Sequence, residues 1–249
     1  MKRTVISIIF YSLGVALVLA YLLLSAFTFR IDEQNIRCRE LNIEISGKIK
    51  LMNEDEVNQV LADIGLHPVG NMISELATEE IERFLEQNPI VKNTNCYHTT
   101  DGSAILQIEL RQPKYLVVGD LDTYYVDTEQ HVLPVPPGVI AYVPVVTGRM
   151  TKTMAAKVLY PLVSFIADHP FWNAQIAQIY VNDRAEIELV PRVGSTIILL
   201  GKTDGFEEKL ERLYELYSKG FTVFGWELYE KLDLRYKQQI VGVKSKQAI

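Results

Sequence analysis

The stretch IVKNTNCYHTTDGSAILQIELRQP, residues 90–113, decides the first part of the fold. Two runs with the composition of strands flank Asp101-Gly102, and this dipeptide between such runs is a strong hairpin signal. In the second run, apolar side chains occupy every other position and therefore share one face: Ala104, Leu106, Ile108 and Leu110. Pro113 ends the run. The stretch predicts a β-hairpin with one buried face.

Two helices are predicted upstream of this hairpin. Asn53 can cap the first, with Glu56 three residues later as the partner of a capping box, and Gly65 ends it. Acidic residues directly after Thr78 favour the start of the second helix, which ends at Pro89. Each helix carries one apolar stripe: Val57, Val60, Leu61 and Ile64 in the first, and Ile81, Phe84 and Leu85 in the second.

A further strand precedes both helices, because Leu41, Ile43 and Ile45 alternate with polar residues. Residues 39–112 are therefore predicted to form a β-α-α-β-β domain.

Residues 113–245 are predicted to form a strand-rich, mixed α/β domain, so that the whole chain belongs to the α+β class. Short strands are expected in KYLVVGD and TYYVDTEQHVLPV, and two or three antiparallel strands in residues 177–201. The segment PVPPGVIAYVPVVTG, residues 134–148, is too rich in proline for a central strand. A helix is expected over residues 153–169, with a kink or split at Pro161.

An amphipathic helix is predicted over residues 204–220. Its apolar stripe is Phe206, Leu210, Leu213 and Leu216/Tyr217, and Gly220 ends it.

The first thirty residues differ from the rest. No charged side chain lies between Arg3 and Arg30. As a helix, residues 4–29 would extend about 39 Å, which is more than the thickness of the hydrocarbon core of a bilayer, about 30 Å. The pattern favours an uncleaved transmembrane anchor over residues 5–29, ahead of a cleaved signal peptide or a buried helix. Lys2 and Arg3 precede the span, so the positive-inside rule places the tail, residues 1–4, in the cytoplasm.

All 31 acidic residues follow this span, so the exported part, which begins with a linker over residues 30–38, is net acidic. That argues against nucleic-acid binding, which needs a basic stripe. Cys38 and Cys96 would face an oxidising compartment. A disulfide needs Cα atoms within about 7 Å, and the sequence leaves their pairing open. Neither cysteine belongs to a CxxC or CxxH pair, so no metal site is predicted.

No catalytic constellation is apparent. The four histidines are scattered: His67, His98, His131 and His169. The GKTDG at Gly201 has Thr196 where a phosphate loop needs glycine. We therefore predict neither enzymatic activity nor a cofactor.

The order of these features resembles one family. A short basic tail, one anchor, a β-α-α-β-β module and a strand-rich C-terminal domain are the layout of the bacterial cell-division protein FtsQ, also called DivIB, whose module is a POTRA domain. The passages IELRQPKY, VPVVTG, GSTIILLGKTDGFEEKLERL and DLRYKQQIVGVK are similar to family passages in the same order. YYVDTEQHVLP resembles the family's D-x-x-G turn, but His131 stands near the usual glycine, which predicts an altered turn.

The resemblance implies a non-enzymatic scaffold of the divisome in septum formation. It would lie in the inner membrane at the division site, with its C-terminal domains in the periplasm. Implied partners are the single-span division proteins FtsB (or DivIC) and FtsL, with other divisome components at the POTRA-like domain. The alternative is a POTRA-type chaperone or secretion module for outer-membrane polypeptides; such proteins usually repeat the POTRA unit or carry a membrane β-barrel.

The passage KLDLRYKQQIVGVK, residues 231–244, is expected to end the domain on an edge strand. Leu232, Leu234 and Tyr236 would face one way, and Asp233, Arg235 and Lys237 the other. Two readings of this edge are open. In the first, the lysines only prevent unwanted pairing with other chains; in the second, the edge receives a partner strand. For the second reading the resemblance points first to Tyr236, then to Arg235, and then to further contacts: Lys237, Gln238, Gln239, Ile240, Val241 and the backbone up to Val243. Trp226 is either core or contact surface. The run IVKNTNCYH offers a second possible edge.

Overall fold

A computed structural model describes residues 13–26, 36–220 and 228–245 of the 249-residue chain. Residues 13–26 form helix α1. Within the described residues, no helix has both the length and the apolarity that crossing a bilayer requires. The predicted span, residues 5–29, extends outside the described part at both ends, and Lys2, Arg3 and the tail from residue 246 lie outside it. The chain divides into two compact units, one with residues 1–46 and 52–109 and the other with residues 47–51 and 110–249.

The first unit has the predicted β-α-α-β-β order. Its elements are β1 (Glu40–Ser46), α2 (Glu54–Asp63), a 3-10 turn (Ile73–Glu75), α3 (Thr78–Glu86), β2 (Val91–His98) and β3 (Ser103–Leu110). The three strands form one sheet in the order β1-β3-β2, with β1 parallel to β3. The apolar face predicted for β3 is buried throughout. The hairpin pattern therefore placed the central strand of this sheet correctly.

The predicted capping box begins α2. The Asn53 side chain accepts from the Glu56 N–H at 2.9 Å, and the Glu56 carboxylate accepts from the Asn53 N–H at 3.0 Å. Val57 and Leu61 of the predicted stripe are buried, but Ile64 is exposed. Ile64 lies at the C-cap, where the helix ends before its stripe completes another turn.

Cys38 and Cys96 are both buried and both free thiols. Burial and, to a smaller extent, the nearby Glu82 carboxylate raise the pKa of Cys96 to about 11. These side chains therefore pack as small apolar groups.

The second unit is built on a nine-stranded sheet. Its strands are β4 (Pro113–Gly119), β5 (Thr123–Asp127), β6 (Val132–Pro134), β7 (Val145–Gly148), β8 (Ile176–Val181), β9 (Ile187–Pro191), β10 (Ile197–Gly201), β11 (Tyr229–Asp233) and β12 (Val241–Lys244). The order across the sheet is β12-β11-β10-β9-β8-β7-β4-β5-β6. The strands at its two margins are thus β12 and β6.

Helices follow β7 and β10. A π-helical segment (Met154–Leu159) leads into α4 (Tyr160–Asp168) and α5 (Pro170–Gln175), and α6 (Phe206–Glu215) continues as a π-helical turn (Leu216–Gly220). Pro161 lies in the first turn of α4, where the helix changes from π to α geometry. The backbone of Leu159 and Tyr160 stays helical, so the predicted split does not occur and the irregularity is confined to the change of helix type. One cluster of buried side chains joins these helices to strands β4, β5 and β7–β11.

One prediction for this sheet was wrong. The proline-rich segment 134–148 ends in β7, which lies near the middle of the sheet between β4 and β8, parallel to both. The strand begins directly after Pro144, and the carbonyl of Pro144 accepts the Leu116 N–H at 2.9 Å. Because the four residues of β7 contain no proline, their backbone N–H groups can donate to the neighbouring strands β4 and β8.

The turn between β5 and β6, for which the sequence predicted an altered form, is organised around a buried carboxylate. Asp127, which is 1 % exposed, accepts from the N–H groups of Glu129 and His131. Gln130 has a φ of 67°, so it takes the left-handed conformation. One nitrogen of Arg111 contacts Asp127 at 3.1 Å, Glu129 at 3.0 Å and the His131 ring at 2.9 Å. The negative charge of the buried Asp127 carboxylate is therefore compensated by the Arg111 guanidinium.

We expect Arg111→Ala to lower the free energy of unfolding by about 3 kcal/mol, because it leaves the buried Asp127 charge without its cation. Urea denaturation followed by circular dichroism measures the change. The matched control is Lys152→Ala, which breaks a 2.9 Å pair with Asp122 whose side chains are 59 % and 46 % exposed, and it should cost no more than about 1 kcal/mol. Equal losses in both variants would contradict the expectation.

Candidate partner-binding edge

The closing passage forms two strands, β11 and β12, joined by a loop. β11 pairs with β10 in parallel and with β12 in the antiparallel sense. The margin of β11 is therefore covered by the chain's own β12, and β12 is the strand left at the margin. All four residues of β12 are exposed, and Val241 and Val243 are 39 % and 45 % exposed. Among the described residues, β12 is thus an open edge, and it carries apolar side chains.

The residues predicted to contact a partner lie mostly in the loop between these strands. Five of them are exposed: Arg235, Tyr236, Lys237, Gln238 and Gln239. The sixth, Ile240, is partly buried and packs on the core. Val241 is the first residue of β12. Trp226 lies outside the described residues.

Tyr236 does not continue the face of Leu232 and Leu234, as the alternation predicted. Those two leucines are buried, whereas Tyr236 is 49 % exposed. β11 ends at Asp233, and Gln238 has a φ of 63°. The chain therefore turns back after Leu234 to form β12, and the period of two stops there.

Arg235 fixes the start of this loop through a clamp on two acids. Its Nε and one terminal nitrogen donate to the two oxygens of Asp233 at 2.9 and 2.6 Å. The other terminal nitrogen contacts both oxygens of Glu186, in the turn before β9, at 3.3 and 3.2 Å. The hydrogen bonds from Arg235 lower the pKa of Asp233, and the bonds with Asp233 raise the pKa of Arg235. Fork-to-carboxylate pairs of this kind hold orientation as well as charge.

Two glycines let side chains lie close to the backbone at this edge. Gly201 has a φ of 79°, and a Cβ there would come within 2.7 Å of the Arg235 Cγ. In β12, a Cβ at Gly242 would come within 2.5 Å of the Tyr229 ring. The Arg235 stem and the Tyr229 ring therefore need glycine beneath them, and a larger residue would displace them.

A groove of about 650 Å³ lies between the loop and the start of α6. Residues 234–238 line one side, and charged residues of both signs line the rest: Glu186, Lys202, Asp204, Glu208, Lys209 and Arg212. The Lys209 ammonium donates to the carbonyls of Leu200 and Lys202, and burial lowers its pKa. The groove thus brings Arg235, Tyr236, Lys237 and Gln238 together on one wall.

The sequence assigned no structural role to three residues that shape this edge. Glu186 is about fifty residues away in the chain, and nothing in the local pattern marks it. Gly201 lies in the failed phosphate-loop motif and in the family-like passage GSTIILLGKTDGFEEKLERL, but neither pattern predicted its contact with Arg235. Gly242 carried a usable signal, since glycine inside a strand often marks close approach of another group.

Another cluster of polar groups lies in the β5–β6 turn. Ligand atoms of Asp127, Glu129 and His131 lie within 4.8 Å of one another. The Arg111 nitrogen already contacts all three side chains. A metal ion would have to displace this cation, so the cluster is better explained as the ion-pair network of the turn.

Comparison with known families matches both units. A family model described as FtsQ/DivIB, C-terminal related, matches residues 112–243, which is more than half of the chain. A model described as a POTRA-like domain matches residues 36–109. A search of curated proteins gives no match.

The clamp predicts a specific change in acidity. In wild-type protein the Asp233 pKa should lie below the ordinary 3.8, and Arg235→Gln should return it towards that value, because the donors that favour the carboxylate are lost. Since the pKa is lower in the folded state, the clamp stabilises the fold above the ordinary carboxyl pKa and loses this effect as pH falls through the lowered one.

Titration of the Asp233 carboxyl ¹³C resonance measures this pKa. Lys237→Gln is the control, because it removes a cation from the same loop and should leave the Asp233 pKa unchanged. An Asp233 pKa that is the same with and without Arg235 would disprove the clamp.

Proposed function

Because this chain belongs to the FtsQ/DivIB family, as its sequence resemblance predicted, we propose that it is a membrane-anchored scaffold of bacterial cell division that captures partner chains by strand addition at β12. The family consists of non-enzymatic division proteins. The role is therefore one of assembly rather than of chemistry.

The observation that supports this proposal is the open margin at β12. An edge strand offers a row of backbone N–H and C=O groups that a second extended chain can pair with. A strand from a partner would also cover Val241 and Val243, which are apolar and exposed. Lys244 is the last residue of this strand. One lysine at the end of an edge leaves the preceding backbone open to pairing.

The loop beside β12 would supply selectivity. Tyr236 presents a half-exposed ring, and large aromatic side chains give much contact area for little conformational entropy. Arg235 is held by Asp233 and Glu186, so we assign it a positioning role in which it presents Tyr236 and Lys237. The partners that fit the family are short single-span division proteins of the FtsB (or DivIC) and FtsL kind, and the POTRA-like domain would recruit further divisome components.

Membrane attachment completes the mechanism. An anchor over residues 5–29 would confine the chain to the division-site membrane, with both units on the periplasmic side. Confinement of two tethered proteins to one surface raises their effective concentration. Contacts that are weak in solution could then assemble a complex that supports septum formation.

Tyr236→Glu should reduce co-purification of the partner at least tenfold while thermal unfolding stays at the wild-type temperature, because an exposed loop residue contributes little to the core. Tyr142→Glu is the matched control, since Tyr142 is 99 % exposed and precedes β7. Affinity purification from solubilised membranes, with the partner quantified by mass spectrometry, gives the result. Full capture by the Tyr236 variant would refute the assigned contact.

Exchange of Lys2 and Arg3 for glutamate should reduce the fraction of chains whose domains face the periplasm, because cytoplasmic positive charge sets orientation. Digestion of the two units by protease added to spheroplasts measures this fraction, because the protease reaches only domains on the periplasmic side. Lys244→Glu changes a charge far from the span and should have no effect. Unchanged accessibility in the Lys2/Arg3 variant would contradict the assigned topology.

Imaging of a fluorescent fusion tests the division role itself. A ring at mid-cell is the expected result. An even envelope signal would favour the alternative role, a chaperone for outer-membrane polypeptides.

A further inference from the structure

The β2 strand of the first unit also lies at the margin of its sheet, but side chains of α3 already accept two of its amides. The N–H of Thr94 donates to the Glu86 carboxylate at 3.2 Å, and the N–H of Cys96 donates to the Glu82 carboxylate at 2.7 Å. Residues two apart in a strand direct their amides to the same side. Because β3 lies on the other side of β2, these two amides belong to the outer margin.

The spacing of the two glutamates matches the spacing of the two amides. Four residues along a helix rise about 6.0 Å, and two residues along a strand rise about 6.6 Å. The side chain of Glu86 therefore stands opposite the amide of Thr94, and the side chain of Glu82 stands opposite the amide of Cys96. A carboxylate accepts hydrogen bonds strongly and donates none, so both groups suit this task.

We propose that Glu82 and Glu86 form an edge latch, which closes the outer margin of β2 to strand addition and yields only to an extended segment with basic side chains. The carbonyls of such a segment would take over the two amides. Its cations would pair with the released carboxylates, so that each carboxylate exchanges a neutral amide partner for a charged one. An acidic or neutral segment would supply carbonyls for the two amides but no cations for the two carboxylates.

The charge of α3 supports this choice of partner. The helix carries Glu79, Glu80, Glu82 and Glu86 against one cation, Arg83. On the strand, Lys92 is already paired with Glu109 at 3.1 Å. The surface beside the β2 margin is therefore acidic, and opposite charges across neighbouring strands and helices are favourable. The latch lies wholly in the first unit and does not depend on strand addition at β12.

Amide hydrogen exchange of the full-length protein tests the closing contacts. In the double variant E82A/E86A, the amides of Thr94 and Cys96 should exchange roughly tenfold faster or more, which corresponds to the loss of a hydrogen bond to a charged acceptor. In E82Q/E86Q they should stay close to wild type, because glutamine keeps an acceptor oxygen. Wild-type exchange in the alanine variant would overturn the latch.

The amides of β3 show whether the unit remains folded, because this strand lies inside the sheet. They should exchange at the wild-type rate in both double variants. If they exchange faster with E82A/E86A, the single variants decide. E82A should expose only Cys96 and E86A only Thr94, and failure of either selective effect would overturn the assignment.

A pair of synthetic peptides tests the partner class. Wild-type protein should bind the labelled peptide TKVKVKT, with slower exchange in β2, and should bind the glutamate counterpart TEVEVET at least tenfold more weakly. E82Q/E86Q should lose the preference for the lysine peptide. The control E79Q/E80Q removes two charges from the same helix away from the latch and should bind as wild type does. Equal binding of both peptides, or an unchanged preference in E82Q/E86Q, would overturn the basic partner.

Discussion

Unpaired backbone groups at the margin of a sheet are the constraint on which the rest of this structure depends. An edge strand forms backbone hydrogen bonds with its inner neighbour only, and its other N–H and C=O groups point outward. These outward groups must form hydrogen bonds with water, a side chain or another strand. The two sheets meet this requirement differently. At β2, side chains of α3 accept two outward amides. At β11, the chain turns back and adds β12, which moves the open margin outward by one strand.

The same constraint explains the loop between β11 and β12. The chain reverses after Leu234 through a loop in which Gln238 takes the left-handed conformation. The loop has a fixed starting point, which Arg235 provides by linking Asp233 to Glu186. The residues that the family resemblance assigned to partner binding thus have a structural task as well. Tyr236, the residue after Arg235 in the chain, is half-exposed.

The sequence predicted the local elements well where a period or a cap fixes them. Alternation in β3, the capping box at Asn53 and the stripe of α6 all depend on residues that are close together in the chain. It failed at β7, because proline content describes a whole segment whereas a strand needs only a few residues free of proline. It failed again after Leu234, because continued alternation cannot reveal that the chain reverses.

By itself, then, the sequence determined the α+β class, the β-α-α-β-β order of the first unit and the family, since these depend on local periodicity and on the order of short motifs. Only the tertiary structure decided which strand margins are open. Pairing of β12 with β11, contact of Glu186 with Arg235, and closure of β2 by Glu82 and Glu86 each join groups that local patterns do not relate. Backbone hydrogen bonds carry no side-chain signature, so their partners become known only when the chain is folded.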